Sequence, residues 1–232
     1  MKDIQEHKRI NDILLGPLER PALKWLAAHL PAWMTPDGCT IIGVLGALLT
    51  AAGYLCSRFD RNFLWLASFG FIINWFGDSL DGTLARYRHI ERPLYGFFLD
   101  HMVDAVIEML IFLTLGMTAY VNFKFASLAL IAYLLMSVLA MTRTALLGEF
   151  KISYGKLGPT EVRVLAILLN TWMYFGGVHS VSVPLGPFGS MNISPYDYFV
   201  GFIGLLLFYF FFVTAIKDAI YLSGVDKGMS QK

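Results

Sequence analysis

FLWLASFGFIINWFGDSLDGTLAR, residues 63–86, decides the fold. Its first fourteen residues carry no formal charge, and then Asp78, Asp81 and Arg86 follow within nine positions. With its neighbours, such a run approaches the ~20 residues a helix needs to cross a bilayer. The run is continuous rather than alternating, so a helix is expected and a barrel strand is not. Two carboxylates and a guanidinium at its end need water, head groups or a cation to compensate them.

The rest of the chain agrees. Of 232 residues, 56% are hydrophobic and 15% charged, against ~25% charged in a soluble domain. Mean hydropathy is +0.59. An all-α integral membrane protein is expected, with one catalytic domain of six transmembrane helices over residues 38–222. The spans fall near 38–57, 62–86, 94–121, 125–148, 160–181 and 198–222. Residues 1–37 precede them, and a tail at 223–232 follows. In the first segment, Leu23, Leu26, Ala27 and Leu30 repeat at helical spacing, with Arg20 and Lys24 among them and Trp25 and Trp33 as interface anchors. That pattern predicts an amphipathic helix lying on the membrane; a solvated terminal helix is the alternative. No apolar core of signal-peptide length is visible there. The stretch VPLGPFGSMNISPYDY, residues 183–198, predicts a loop. Cys39 and Cys56, on one predicted helix and roughly 25 Å apart, cannot pair.

Charge distribution orients the chain. Fifteen of the 18 Lys and Arg fall in flanks on one side of the membrane; Arg58, Arg61 and Lys124 fall on the other. Both termini and the charged end at 78–86 are therefore expected in the cytoplasm. A net charge of +1 argues against a nucleic-acid partner.

Asp78, Asp81, Gly82 and Ala85 share one helical face, and Gly96, Asp100, Asp104 and Glu108 share a face of the next helix, which Pro93 introduces. A short turn joins the two helices, so the carboxylate faces can converge near the cytoplasmic surface. Converging carboxylates repel unless a cation compensates them, and hard oxygen donors favour Mg²⁺, Mn²⁺ or Ca²⁺. Four carboxylates can hold two ions, an arrangement suited to phosphoryl chemistry. His101 points about 100° away from Asp100 on a helix and reads as a packing or outer-shell group. Gly82 costs about 1 kcal/mol in a helix interior, so something must approach the backbone: a ligand, or a packed helix.

The spacing D-x2-D-G-x2-A-R-x9-G-x3-D-x3-D is filled at every fixed position: Asp78, Asp81, Gly82, Ala85, Arg86, Gly96, Asp100 and Asp104. It resembles the signature of the CDP-alcohol phosphotransferase family. LPAWMTPDGCT before the first span, and a surface helix followed by six spans, are also similar to that family. The resemblance implies transfer of a substituted phosphate from a CDP-linked alcohol to a hydroxyl, with release of CMP and a need for Mg²⁺ or Mn²⁺. It implies that Asp78, Asp81 and Asp100 are metal ligands and that Asp104 completes the site and acts as general base. Gly82, Ala85 and Gly96 would admit the nucleotide beside Asp81, and Arg86 would hold its phosphates.

Arg143, Lys151, Lys156 and Arg163 make a second charged group between the fourth and fifth spans. They read either as anchors to anionic lipid or, with Glu161, as a pocket for an acceptor or lipid phosphate. GPTE, Gly158 to Glu161, resembles a segment of eukaryotic choline and ethanolamine phosphotransferases. Two donors are thus open. CDP-diacylglycerol with a polar alcohol acceptor is the first expectation, as the commoner bacterial use of the family, and places the protein in a bacterial inner membrane. A CDP-linked head group with a lipid alcohol acceptor is the second. A cation transporter is the alternative of another class, but the cluster lies towards one surface and no inverted repeat is visible. The sequence leaves a homodimer open.

Overall fold

Thr35 begins the first long helix. Its hydroxyl oxygen accepts the Gly38 N–H at 3.0 Å, and Pro36 takes the first turn, where a missing N–H costs nothing. The computed structural model describes residues 8–10, 14–147, 149–151, 158–184 and 189–229. Seven helices run in chain order: α1 (Gly16–His29), α2 (Pro36–Cys56), α3 (Phe63–Arg88), α4 (Pro93–Gly116), α5 (Phe123–Leu147), α6 (Pro159–Gly176) and α7 (Pro195–Met229). A parallel ladder joins β1 (Lys8–Ile10) to β2 (Glu149–Lys151). An antiparallel ladder joins β3 (Val181–Pro184) to β4 (Ser190–Ile193), so part of the expected loop pairs with itself. The last helix continues to Met229, through most of the expected tail.

The protein is an all-α integral membrane protein. Among the described residues, four helices are long and apolar enough to cross a membrane: Pro36–Cys56, Phe63–Arg88, Phe123–Leu147 and Pro195–Lys227. Two helices expected as spans fall short of that standard for different reasons. The fourth helix has the length, 24 residues, but carries Asp100, Asp104 and Glu108. The sixth, at 18 residues, is just long enough, but polar residues, Glu161, Arg163 and Asn170 among them, lower its mean hydropathy.

Small residues let α2 and α3 approach closely. A Cβ added at Gly46 would fall into the backbone of Gly70 and Asn74, and one at Gly77 into that of Gly43. Gly46→Leu is therefore expected to cost about 3 kcal/mol through overpacking against backbone that cannot yield. A thermal melt in detergent reads this, and an unchanged midpoint would contradict it.

Part of the apolar stripe of α1 packs on protein. Leu23 and Ala27 are buried against Cys39, Leu80 and Leu84, while Leu18, Trp25 and Trp33 face outward. Polar ties fix this docking. The Arg88 guanidinium donates to the carbonyls of Leu30 at 3.0 Å and Pro31 at 2.9 Å, groups left without helical partners where α1 ends. Glu19 Oε1 accepts from Trp75 Nε1 at 2.7 Å and from Thr160 Oγ1 at 2.7 Å, joining α1 to α3 and α6.

Candidate active site

The two carboxylate-bearing faces come together. Asp78 of α3 and Asp100 and Asp104 of α4 each offer an oxygen, and these atoms lie within 4.8 Å of one another. Asp81, one turn after Asp78, lies on the same wall, but its carboxylate is engaged elsewhere. Its Oδ2 accepts the Thr40 hydroxyl of α2 at 2.8 Å, and its Oδ1 meets the Gly82 N–H at 2.5 Å. The convergent group is thus three carboxylates, with the fourth held towards α2. His101 Nδ1 lies 2.7 Å from the Phe97 carbonyl and 3.7 Å from Asp100 Oδ2, with its ring on that of Phe97.

The sixth helix adds a cation. Arg163 Nη2 donates to Asp78 Oδ2 at 2.6 Å, and its Nε donates to Asn74 Oδ1 at 2.8 Å. Asn74 Nδ2 in turn donates to the Gly43 carbonyl at 3.0 Å. A chain of hydrogen bonds therefore runs from α2 through Asn74 and Arg163 to the Asp78 carboxylate. Arg163 offsets part of the negative charge but leaves Asp100 and Asp104 beside it. Three carboxylate oxygens at this spacing suit a hard divalent cation, which prefers such donors over nitrogen or sulfur.

Asp78, Asp81, Asp100, Asp104 and Arg163 line a cavity of about 1650 Å³, as do Gly82, Ala85, Arg86 and Gly96. The lining also holds apolar side chains: Phe112 of α4, Leu134 and Val138 of α5, and Phe202, Leu206 and Phe210 of α7. The glycines divide into two kinds. Those at 43, 46, 70 and 77 abut the neighbouring helix, whereas a Cβ at Gly82 would meet only the Arg86 guanidinium, at 3.2 Å. A Cβ at Gly96 would meet nothing within 4 Å. Packing therefore does not account for Gly82. Gly82→Leu is expected to weaken CMP binding at least about tenfold while leaving the melting midpoint close to wild type. A variant that binds CMP normally but melts early would return Gly82 to a packing role.

The basic group of the fourth and fifth spans does not assemble as one pocket among the described residues. Arg143 pairs with Asp218 of α7 at 3.3 Å and is not among the cavity's lining residues. Arg163 is with Asp78. Lys156 and the Lys151 side chain lie outside the described residues. Glu161 is buried and structural in its contacts: Oε2 accepts the Gly158 N–H at 2.9 Å, closing the first turn of α6, and Oε1 accepts the Leu15 N–H at 2.7 Å. Sequence reasoning missed Thr40 and Asn74. Asn74 had a local signal, since it precedes Asp78 by one helical turn; Thr40 had its place at the end of LPAWMTPDGCT, but only the α2–α3 packing brings it to Asp81.

Known proteins match this chain. The family described as CDP-alcohol phosphatidyltransferase matches residues 33–191, and the chain belongs to that family. Cholinephosphotransferase 1 of Gallus gallus is 27% identical over 212 residues, covering 83% of this chain and 62% of that protein. Its counterpart in Xenopus laevis is 24% identical over 222 residues, covering 86% and 54%. A phosphatidylinositol phosphate synthase of Cutibacterium acnes is 39% identical over 87 residues, covering 37% and 39%. The chain therefore spans about half the length of the cholinephosphotransferases it matches.

Proposed function

We propose that the protein transfers a substituted phosphate from a CDP-linked alcohol to a hydroxyl and releases CMP. The observation that carries this reading is the cavity, which three convergent carboxylates line together with apolar side chains of α4, α5 and α7. A nucleotide-linked phosphate suits the carboxylates with their cation, and a lipid chain suits the apolar lining. Asp78, Asp100 and Asp104 would hold Mg²⁺ or Mn²⁺, with Asp81 adding its charge to the same wall and serving a second ion. Such ions neutralise a diphosphate and stabilise the departing nucleotide. Asn74 and Arg163 hold the Asp78 carboxylate in place. Gly82, Ala85 and Gly96 leave room for the nucleotide, and Arg86 pairs with its phosphates. Asp104 takes the proton of the acceptor hydroxyl. The freed oxygen bonds to the phosphorus that bears the alcohol, the bond from that phosphorus to the bridging oxygen breaks, and CMP leaves with the bridging oxygen.

The donor most in keeping with the structure is a CDP-linked head group, with a lipid alcohol as acceptor. The first expectation, CDP-diacylglycerol with a polar alcohol acceptor, followed the commoner bacterial use of the family; a basic pocket would have favoured its phosphorylated acceptors, and Arg143 and Arg163 are instead each paired with a carboxylate. The matches to cholinephosphotransferases cover more of the chain than the match to the phosphatidylinositol phosphate synthase, and point the same way. In this reading α4 and α6 complete six crossings with their charged residues turned inward, α1 lies along the interface, and the termini and carboxylates face the cytoplasm. A matrix of CDP-choline, CDP-ethanolamine and CDP-diacylglycerol against diacylglycerol, glycerol 3-phosphate, inositol phosphate and serine, read by lipid mass spectrometry, tests the choice. A product from CDP-diacylglycerol alone would overturn it.

A further inference from the structure

We propose that Arg20 and Lys24 of α1 form a phosphate-binding wall for the CDP-linked donor; this rests on the function proposed above. By sequence the two are charged residues of a helix expected on a membrane surface. The fold puts them elsewhere. Leu23 and Ala27 seat α1 against Cys39, Leu80 and Leu84. Glu19 accepts three donors on one oxygen: Trp75 Nε1 at 2.7 Å, Ser79 Oγ at 3.3 Å and Thr160 Oγ1 at 2.7 Å. The Leu15 N–H is held by Glu161 at 2.7 Å. These contacts set the rotation of α1 about its own axis. At that rotation Arg20 and Lys24, one turn apart, both line the cavity that Asp81, Gly82, Ala85 and Arg86 also line.

The charge inventory of the cavity gives them a task. Its described lining residues include Arg20, Lys24, Arg86, Arg92 and Arg163; Arg163 pairs with Asp78, Arg92 with Asp37, and Arg86 donates to Thr83 Oγ1 at 3.3 Å. A nucleoside diphosphate ester brings two negative charges into a site already rich in carboxylates, so fixed cations from a helix other than α3 and α4 favour its binding. A latch of three hydrogen bonds on Glu19 is more than a membrane anchor requires, whereas a ligand wall needs its orientation fixed. Arg20 and Lys24 are themselves exposed, so changing them leaves the buried seat of α1 intact.

The phosphate could belong to the donor or to a lipid head group, and two arms of one experiment separate them. In the first, the full chain in phosphatidylcholine nanodiscs with Mg²⁺ is titrated with CMP by calorimetry. Arg20→Ala and Lys24→Ala are each expected to raise the Kd about tenfold, and the double variant more. Lys24→Arg should bind as wild type, the acceptor KM should not move, and thermal midpoints should stay within a degree or two. In the second arm, CMP affinity is compared with and without phosphatidylglycerol in the disc. If the alanine variants keep wild-type CMP affinity, whether or not they lose a response to phosphatidylglycerol, the wall does not exist and the residues are anchors. If wild type itself fails to bind CMP, the proposed function fails with it. If wild type binds and the variants bind equally well, only the assignment of Arg20 and Lys24 fails.

Discussion

Asp78→Asn should lower CMP release by at least about three orders of magnitude, while the protein stays folded. The side chain sits where three elements meet. It shares the convergent oxygen cluster with Asp100 and Asp104 of α4, and it accepts the Arg163 guanidinium of α6 at 2.6 Å. Asparagine keeps the shape and removes the charge. A cation held there would lose a ligand, and Arg163 would lose the carboxylate that balances it. Turnover at limiting Mg²⁺ and Mn²⁺ binding by electron paramagnetic resonance, measured on one preparation, read both effects. Near wild-type turnover would overturn the assignment of Asp78.

Asp104→Asn is the second large effect, of a different kind. Asp104 lies one turn deeper than Asp100 on the same face of α4, belongs to the convergent cluster and lines the cavity. A positioned base is worth ~10²–10⁴-fold. The variant is expected to lose transfer by that factor yet retain CMP binding. If it loses CMP binding as completely as Asp78→Asn does, Asp104 is chiefly a cation ligand and the base lies elsewhere. Glu108, one turn deeper and also lining the cavity, is then the candidate. Glu161, which the sequence alone also offered, is occupied by the Leu15 and Gly158 N–H groups.

What could be read in advance was what helical periodicity controls. The faces of Asp78, Asp81 and Gly82, and of Gly96, Asp100 and Asp104, follow from a repeat of 3.6 residues, and so do helix positions near their observed limits. What could not be read was which helix comes next to which. Arg163 lies 85 residues from Asp78 in sequence, and only the packing of α6 on α3 makes them partners. Arg143 and Arg163 part for the same reason, since they sit on different helices that face different neighbours. The stripe of α1 was visible, but a pattern of apolar residues does not say whether lipid or protein covers it. Side chains of neighbouring elements decide that, here Leu80, Leu84 and Cys39.

The central claim is that the carboxylates lining the cavity perform cation-dependent transfer from a CDP-linked alcohol. Its most direct test is CMP release by the purified full chain supplied with CDP-choline and diacylglycerol, with Mg²⁺ and with the ion removed by chelator. The account predicts CMP and phosphatidylcholine in equal amounts with Mg²⁺, none after chelation, and recovery when Mg²⁺ or Mn²⁺ is restored. If CMP forms with neither this pair nor any other combination of CDP-linked donor and hydroxyl acceptor, or forms equally well in chelator, the account is wrong.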